Sequence, residues 1–241
     1  MEKTNIDSLF LAFRNGVAHR GLFSSTIPEN SKAAFLNAIN HGLPFETDIH
    51  MTKDERIVVC HDSELSRLTN KKGVIEDLSF DDLRNNYRLS NGESLLSGEE
   101  LLSVFKQSKA MVLELKTYNG NASSFRDVLI PFLNKIKDRS KIVIISFDPE
   151  LLSLIKDRGF NCGLLVGQKQ INTDLRLEDW DFLDIDFHLL DDPRFVAYRK
   201  AGKKILAWTI RKKEEFDRVK PYCDGVTFES LDPSLLSGQF R

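Results

Sequence analysis

Cysteine is scarce in this chain: three residues, Cys60, Cys162 and Cys223, lie far apart among 241 positions with no CxxC pair. So odd and scattered a set excludes a disulfide framework and a thiolate zinc site, and it suits a reducing compartment. Long apolar runs are missing too. The run "LFLAF" at residues 9 to 13 is broken at once by Arg14, and nothing approaches the roughly 20 residues that cross a bilayer. The start also lacks the basic segment and long apolar core of a secretory leader. A cytoplasmic protein with no stable membrane insertion is therefore expected. Excess positive charge is absent as well, the formal net charge being -2, so nucleic acid is not an expected partner. Neither an internal repeat nor a low-complexity segment is visible.

What is present fits a folded globular enzyme: 41% hydrophobic and 29% charged residues exclude a disordered chain. Short apolar, β-rich runs alternate with helix-period segments, the pattern of βα units around a parallel sheet. Eight strands are predicted, at residues 16–20, 44–50, 111–116, 141–146, 162–167, 182–186, 204–209 and 224–228. In "NSKAAFLNAINHG", Phe35, Ala38 and Ile39 share a face and Gly42 can take the left-handed C-terminal position. "DPELLSLIKDRG" and "DDPRFVAYRKAG" each begin with an Asp-Pro cap and end on a glycine. Eight strands with helices between them predict an α/β fold, a (β/α)8 TIM barrel in one domain over residues 1–241. The second and third barrel strands lie about sixty residues apart, too far for one crossover. A short extra strand, "RIVVCH", followed by a small insertion subdomain at about residues 63–97, is expected there.

Catalytic groups of such barrels sit at the C-terminal ends of the strands, and ionisable residues collect there in this sequence. His19 and Arg20 end the first strand, Glu46 and Asp48 lie late in the second, Glu114 and Lys116 end the third, and Trp208 closes the seventh. Residues two apart on a strand share a face, so Glu46 and Asp48 project together while Thr47 points away. Two carboxylates so close repel, and a cation is the simplest compensation. Glu114 would complete a three-carboxylate oxygen site suited to Mg²⁺ or Ca²⁺. An isolated ExD pair is usually a solvated strand end; position at a barrel mouth favours the metal reading. Lys116 is either a substrate-anion contact or a salt-bridge partner, with equal weight.

Five histidines divide by context. His41 suits a helix C-terminus, where the macrodipole favours a cation. His50 stands at the very end of the expected second strand and is assigned to the surface, while His188 follows the sixth strand and could line the mouth. His19 and His61 each end an apolar strand with a charged neighbour directly after. Together they could serve as acid and base for in-line displacement at phosphorus, with a metal neutralising the non-bridging oxygens.

Taken together, "AHRG", "IPENSKAAF" and "FETDIHMTKDERIVVCHD" resemble the signature of the glycerophosphodiester phosphodiesterase family, within the phosphatidylinositol-phospholipase-C-like phosphodiesterase superfamily. The likeness rests on His19-Arg20-Gly21, Pro28-Glu29-Asn30, Glu46 and Asp48, Thr52 and Asp54, and His61-Asp62. It continues through "SELSRLTNKKGVIEDLSFDDL", "LELK", "ISFDPELL" and "ILAWTI", covering nearly the whole chain. The resemblance implies the barrel with its insertion, a place in lipid and glycerol metabolism, and hydrolysis of small-molecule glycerophosphodiesters to glycerol 3-phosphate and an alcohol. By the same resemblance His19 and His61 are the acid/base pair, and Arg20, Lys116, Trp208, Glu29 and Asn30 bind substrate or orient the groups that do. Glu46, Asp48 and Glu114 are the ligands of one divalent cation, Mg²⁺ or Ca²⁺ with Mn²⁺ an alternative. It also allows a first step in which the substrate's own hydroxyl attacks phosphorus, giving a cyclic phosphate that water opens.

Departures from the family pattern are two extra residues in "GLFSSTIPEN", Arg211 in place of an asparagine, "LLSGEE" in place of PTLEE, and Glu229 in place of an aspartate. These bear on the rim and the preferred alcohol. Rival expectations are a sphingomyelinase D-like phospholipid lyase and a non-catalytic phosphodiester-binding barrel. Retention of both histidines and all three carboxylates weighs against the second.

Overall fold

Strands of a parallel barrel are buried on both faces, so they read as continuous apolar runs. "MVLEL" of β4 (Met111–Leu115), "IVIIS" of β5 (Ile142–Ser146) and "NCGLLV" of β6 (Asn161–Val166) are buried at every position. The computed structural model describes residues 5–238 and 240. With β1 (Val17–Ala18), β2 (Phe45–Met51), β7 (Phe182–Asp186), β8 (Lys204–Ile210) and β9 (Gly225–Phe228), these form the parallel sheet β1-β9-β8-β7-β6-β5-β4-β2, closed by pairing of β1 with β2. The eight-stranded (β/α)8 barrel is thus present. The short extra strand β3 (Ile57–Val59) runs antiparallel to β2 outside the ring.

Helices fill the crossovers where their caps dictate. Ser31 opens α2 (Lys32–Asn40) by accepting from the Ala34 N–H at 3.0 Å, and Asp148 opens α7 (Pro149–Ile155) by accepting from Glu150 and Leu151 at 3.0 Å each. The "LLSGEE" departure is a capping box for α5 (Gly98–Phe105): Ser97 and Glu100 bond reciprocally at 2.8 and 3.2 Å. Among the remaining helices are α6 (Ala122–Leu133), α8 (Pro193–Lys200) and α9 (Lys213–Val219).

One element has no counterpart in the sequence reading. "IDSLFLAF" forms α1 (Ile6–Phe13), whose Leu9, Phe10 and Phe13 close the N-terminal end of the barrel against Val17, Phe182 and Leu206. Phe10 packs edge-on to Phe182 with centroids 5.7 Å apart. A run read only as too short for a leader is the barrel's floor.

Residues 63–97 carry α3 (Ser66–Thr69), a 3₁₀ turn (Ile75–Asp77) and α4 (Phe80–Asn86). Leu65, Ile75, Phe80, Leu83 and Tyr87 build a small cluster on Val58 and Cys60, apart from the main core. The turn "TKDER" fixes this insertion to the barrel: Asp54 accepts from the Thr52 hydroxyl at 2.7 Å and from the Phe80 N–H at 2.8 Å.

Two local expectations need correction. β1 ends at Ala18, because Arg20 adopts a left-handed φ of 53° and turns the chain away. His50 is buried within β2, since β3 folds back and pairs Val58 with it. Its ring bonds Glu76 Oε1 at 2.7 Å through Nδ1 and the His61 carbonyl at 3.1 Å through Nε2.

Candidate active site

At the C-terminal mouth, strand parity places Glu46, Asp48 and Glu114 inward with Asp48 in register beside Glu114. All three are buried, and one oxygen from each lies within 4.8 Å of the others. Thr47 points outward and donates to Asn30 Oδ1 at 2.9 Å, while Asn30 Nδ2 donates to Asp48 Oδ2 at 2.8 Å. Asn30 thereby fixes Asp48 from behind, from a left-handed backbone (φ 53°) that asparagine tolerates.

Crowding three acids in a buried place divides their proton affinities. Burial, then Asp48 and Glu114, push Glu46 well above the usual carboxylate range. Burial raises Glu114 to about 7 against the pull of Lys116. Asp48 is held low: burial opposes ionisation, and Lys116, His61 and Arg20 outweigh it. Lys116 Nζ lies 3.0 Å from Asp48 Oδ1 and 2.5 Å from Glu114 Oε1. Of its two readings, the salt bridge is the contact seen, and Lys116 also lines the pocket.

These residues fit a hard divalent ion. Glu46 Oε1 is buried with no hydrogen-bond partner, and Asp48 Oδ1 and Glu114 Oε1 have only the lysine contact without an aligned hydrogen bond. Oxygen donors of this kind, uncompensated and converging, suit Mg²⁺, Ca²⁺ or Mn²⁺ rather than a soft metal.

Each histidine at the mouth is tethered through Nδ1 to a carboxylate that is itself held by an arginine. His19 bonds Glu229 Oε2, and Arg211 Nε donates to Glu229 Oε1 at 2.6 Å. His61 bonds Asp62 Oδ1 at 2.7 Å, and Arg67 Nε donates to Asp62 Oδ2 at 2.5 Å. Engagement of Nδ1 leaves Nε2 as the ring nitrogen that could exchange a proton. Burial lowers both imidazoles below their ordinary value, and the carboxylates oppose that shift. Glu229 is pulled to about 2: burial alone would raise it, and the bonds to His19 and Arg211 outweigh burial.

Arg20 binds Glu29 Oε1 at 2.7 Å through Nη1, and its backbone N–H donates to Glu46 Oε2 at 2.9 Å. Glu29 also takes both terminal nitrogens of Arg67, at 2.7 and 2.8 Å. Gly21, at φ +79°, follows because a Cβ would meet the Ala34 backbone at 2.8 Å.

His19, Arg20, Glu46, His61, Glu114, Lys116 and Trp208 line one cavity of about 160 Å³, and Asp48, Glu29 and Asn30 stand behind that lining. Trp208 meets Phe147 edge-on at 5.8 Å and donates to the Asp184 carbonyl at 3.1 Å. His188 is not in the cavity lining; it is exposed and bonded to Asp186 at 2.8 Å.

Sequence reasoning passed over three side chains. Glu229 registered only as a departure, and Arg67 only as part of a matching segment. Asp184, buried on the inner face of β7, lines the cavity, and burial followed by Glu114 pushes its carboxyl well above the usual range. Its signal was available: a charge in "FLDID" on the same parity as Phe182.

Fold and mouth together define the class, a (β/α)8-barrel enzyme with its polar site at the C-terminal end. A sequence model described as the glycerophosphoryl diester phosphodiesterase family matches residues 19–232. The chain belongs to that family and is a phosphodiesterase. It is 26% identical over 244 aligned residues to a glycerophosphodiester phosphodiesterase of Caldanaerobacter subterraneus subsp. tengcongensis, covering 93% of this chain and 97% of the relative. Among solved structures it resembles an Oleispira antarctica phosphodiesterase in complex with the product sn-glycerol-3-phosphate, with TM-score 0.80, 25% identity, and 92% and 94% of the two chains covered. A Thermotoga maritima glycerophosphodiester phosphodiesterase matches with TM-score 0.71 and 26% identity over 88% and 92%. No helix among the described residues is long and apolar enough to cross a membrane.

Proposed function

We propose that this enzyme hydrolyses glycerophosphodiesters to glycerol 3-phosphate and a free alcohol by divalent-ion-assisted acid/base catalysis. The observation that carries the reading is the convergence on one cavity of two Nδ1-tethered histidines and a buried acidic triad. Arg20 and Lys116 offer positive charge to phosphoryl oxygens. One of His19 and His61 takes a proton at Nε2 from the attacking hydroxyl or water, and the other gives one from Nε2 to the leaving oxygen. Glu46, Asp48 and Glu114 would hold Mg²⁺, Ca²⁺ or Mn²⁺, which when bound neutralises charge on the non-bridging oxygens. Glu29 fixes the Arg20 fork and Asn30 fixes Asp48, while Trp208 walls the glycerol end. The whole chain acts as one domain, with residues 63–97 as a subdomain that carries Arg67 to the site. The few cysteines, scattered along the sequence with no CxxC pair, support a cytoplasmic location.

The test is a product assay across several glycerophosphodiesters with Mg²⁺, Ca²⁺ and Mn²⁺ compared. Glycerol 3-phosphate release that EDTA abolishes is expected. Cleavage of sphingomyelin to a cyclic product, with no turnover of glycerophosphodiesters, would replace this reading with a lipid lyase.

A further inference from the structure

Across the cavity from the acids lies a wall whose polar groups the proposed chemistry does not use. In the closed ring, β7 stands opposite β2, and β8 opposite β4. Asp184 on β7 and Thr227 on β9 flank Trp208 on β8, and all three line the cavity. Asp184 is 1% exposed and Thr227 2%. Asp184 Oδ1 and Thr227 Oγ1 are both buried with no hydrogen-bond partner. Buried polar atoms are almost always paired, so two orphans facing one cavity point to a ligand that supplies the missing bonds.

The chemistry of that ligand follows from what surrounds the pair. No ion pair reaches the Asp184 carboxyl among the described residues; the cavity lining includes the apolar Ile145 and Leu165 beside Trp208, and its cation Arg211 is held by Glu229. A hydroxyl both donates and accepts, so it satisfies a carboxyl in either protonation state and a threonine hydroxyl in either orientation. The hydroxyls common to every glycerophosphodiester, whatever its alcohol, are those of the glycerol group.

We infer that Asp184 and Thr227 read the free hydroxyls of the substrate's glycerol group and set the preference for glycerol-bearing phosphodiesters. This rests on the function proposed above. The residues position and select substrate; the phosphoryl chemistry stays with the groups on the opposite wall. A site built around a substrate hydroxyl rejects the analogue lacking it, because its own polar groups are then stranded.

Equilibrium binding of two phosphate monoesters, sn-glycerol 3-phosphate and 1-propyl phosphate, tests this with the full chain and the divalent ion that best supports turnover. The wild type is expected to favour glycerol 3-phosphate by roughly 100-fold. Asp184→Ala should lose at least tenfold more affinity for glycerol 3-phosphate than for propyl phosphate, Asp184→Asn less, and Thr227→Val a smaller share of the same preference. Removing an orphaned buried carboxyl should leave the melting temperature of Asp184→Ala unchanged or raised; a fall would indicate a structural role and overturn the inference. Equal losses for both ligands in Asp184→Asn and Thr227→Val, or a wild type without preference, would overturn it too. Turnover of glycerophosphocholine by the wild type separates the two levels: its presence with no preference removes this inference alone, and its absence removes the functional reading with it.

Discussion

Burial holds Glu114 protonated to about pH 7, whereas an ordinary glutamate ionises near 4.5. Between those values the folded chain binds a proton at Glu114 that the unfolded chain has lost, so without a divalent ion this group's contribution to stability falls as pH rises through the window. A shift of that size corresponds to about 3 kcal/mol. Glu114→Gln keeps an acceptor for Lys116 and removes the titration. In EDTA at pH 7.5 it should therefore exceed the wild type by up to ~3 kcal/mol, a rise of roughly 6–12 °C in melting temperature for a chain of this size. His19 and His61, lowered by burial, add stability as pH rises, so the quantity to read is the difference between variant and wild type at each pH. Thermal melts from pH 4.5 to 7.5 in EDTA give it directly. Added divalent ion should then stabilise the wild type far more than the variant. A variant less stable than the wild type at pH 7.5 in EDTA, or a difference that does not grow with pH, would refute the description of the triad as a frustrated acidic cluster.

Other consequences follow from the tethers. Glu229→Gln removes a carboxylate that raises His19, so whichever limb of the pH–rate profile His19 governs should move to lower pH, with activity down roughly 10- to 100-fold; a limb shifted upward would contradict the assignment. Arg67 joins Asp62 and Glu29 in one planar fork. Arg67→Ala should reduce kcat/KM about tenfold or more while costing under about 1 kcal/mol in stability, as expected of a half-exposed pair, and Arg67→Lys should not restore it because an ammonium cannot make the fork. Gly21→Ala combines a left-handed φ with a 2.8 Å clash against Ala34; it should destabilise by roughly 1–3 kcal/mol, measured by denaturant unfolding.

How much of this was legible in the sequence depended on whether the signal was local. Barrel strands were visible because residues buried on both faces must be apolar, and the parity of Glu46 and Asp48 follows from strand geometry alone. The gap before "MVLELK" marked the insertion by length. What the sequence hid were pairings across distance. His19 and Glu229 are 210 residues apart, and Arg67 meets Glu29 over 38; neither follows from periodicity. His50 was misplaced because pairing with β3 lengthens β2 beyond its apolar run. "LFLAF" was passed over because one amphipathic turn pattern reads alike in a floor helix and a loop.

The most direct test of the central claim is release of glycerol 3-phosphate from glycerophosphocholine by the wild type and by His61→Ala, each with divalent ion and with EDTA. The geometry predicts turnover by the ion-loaded wild type, a loss of about 10²–10⁴ in the variant, and none in EDTA. Release that survives both the substitution and the chelator would contradict it.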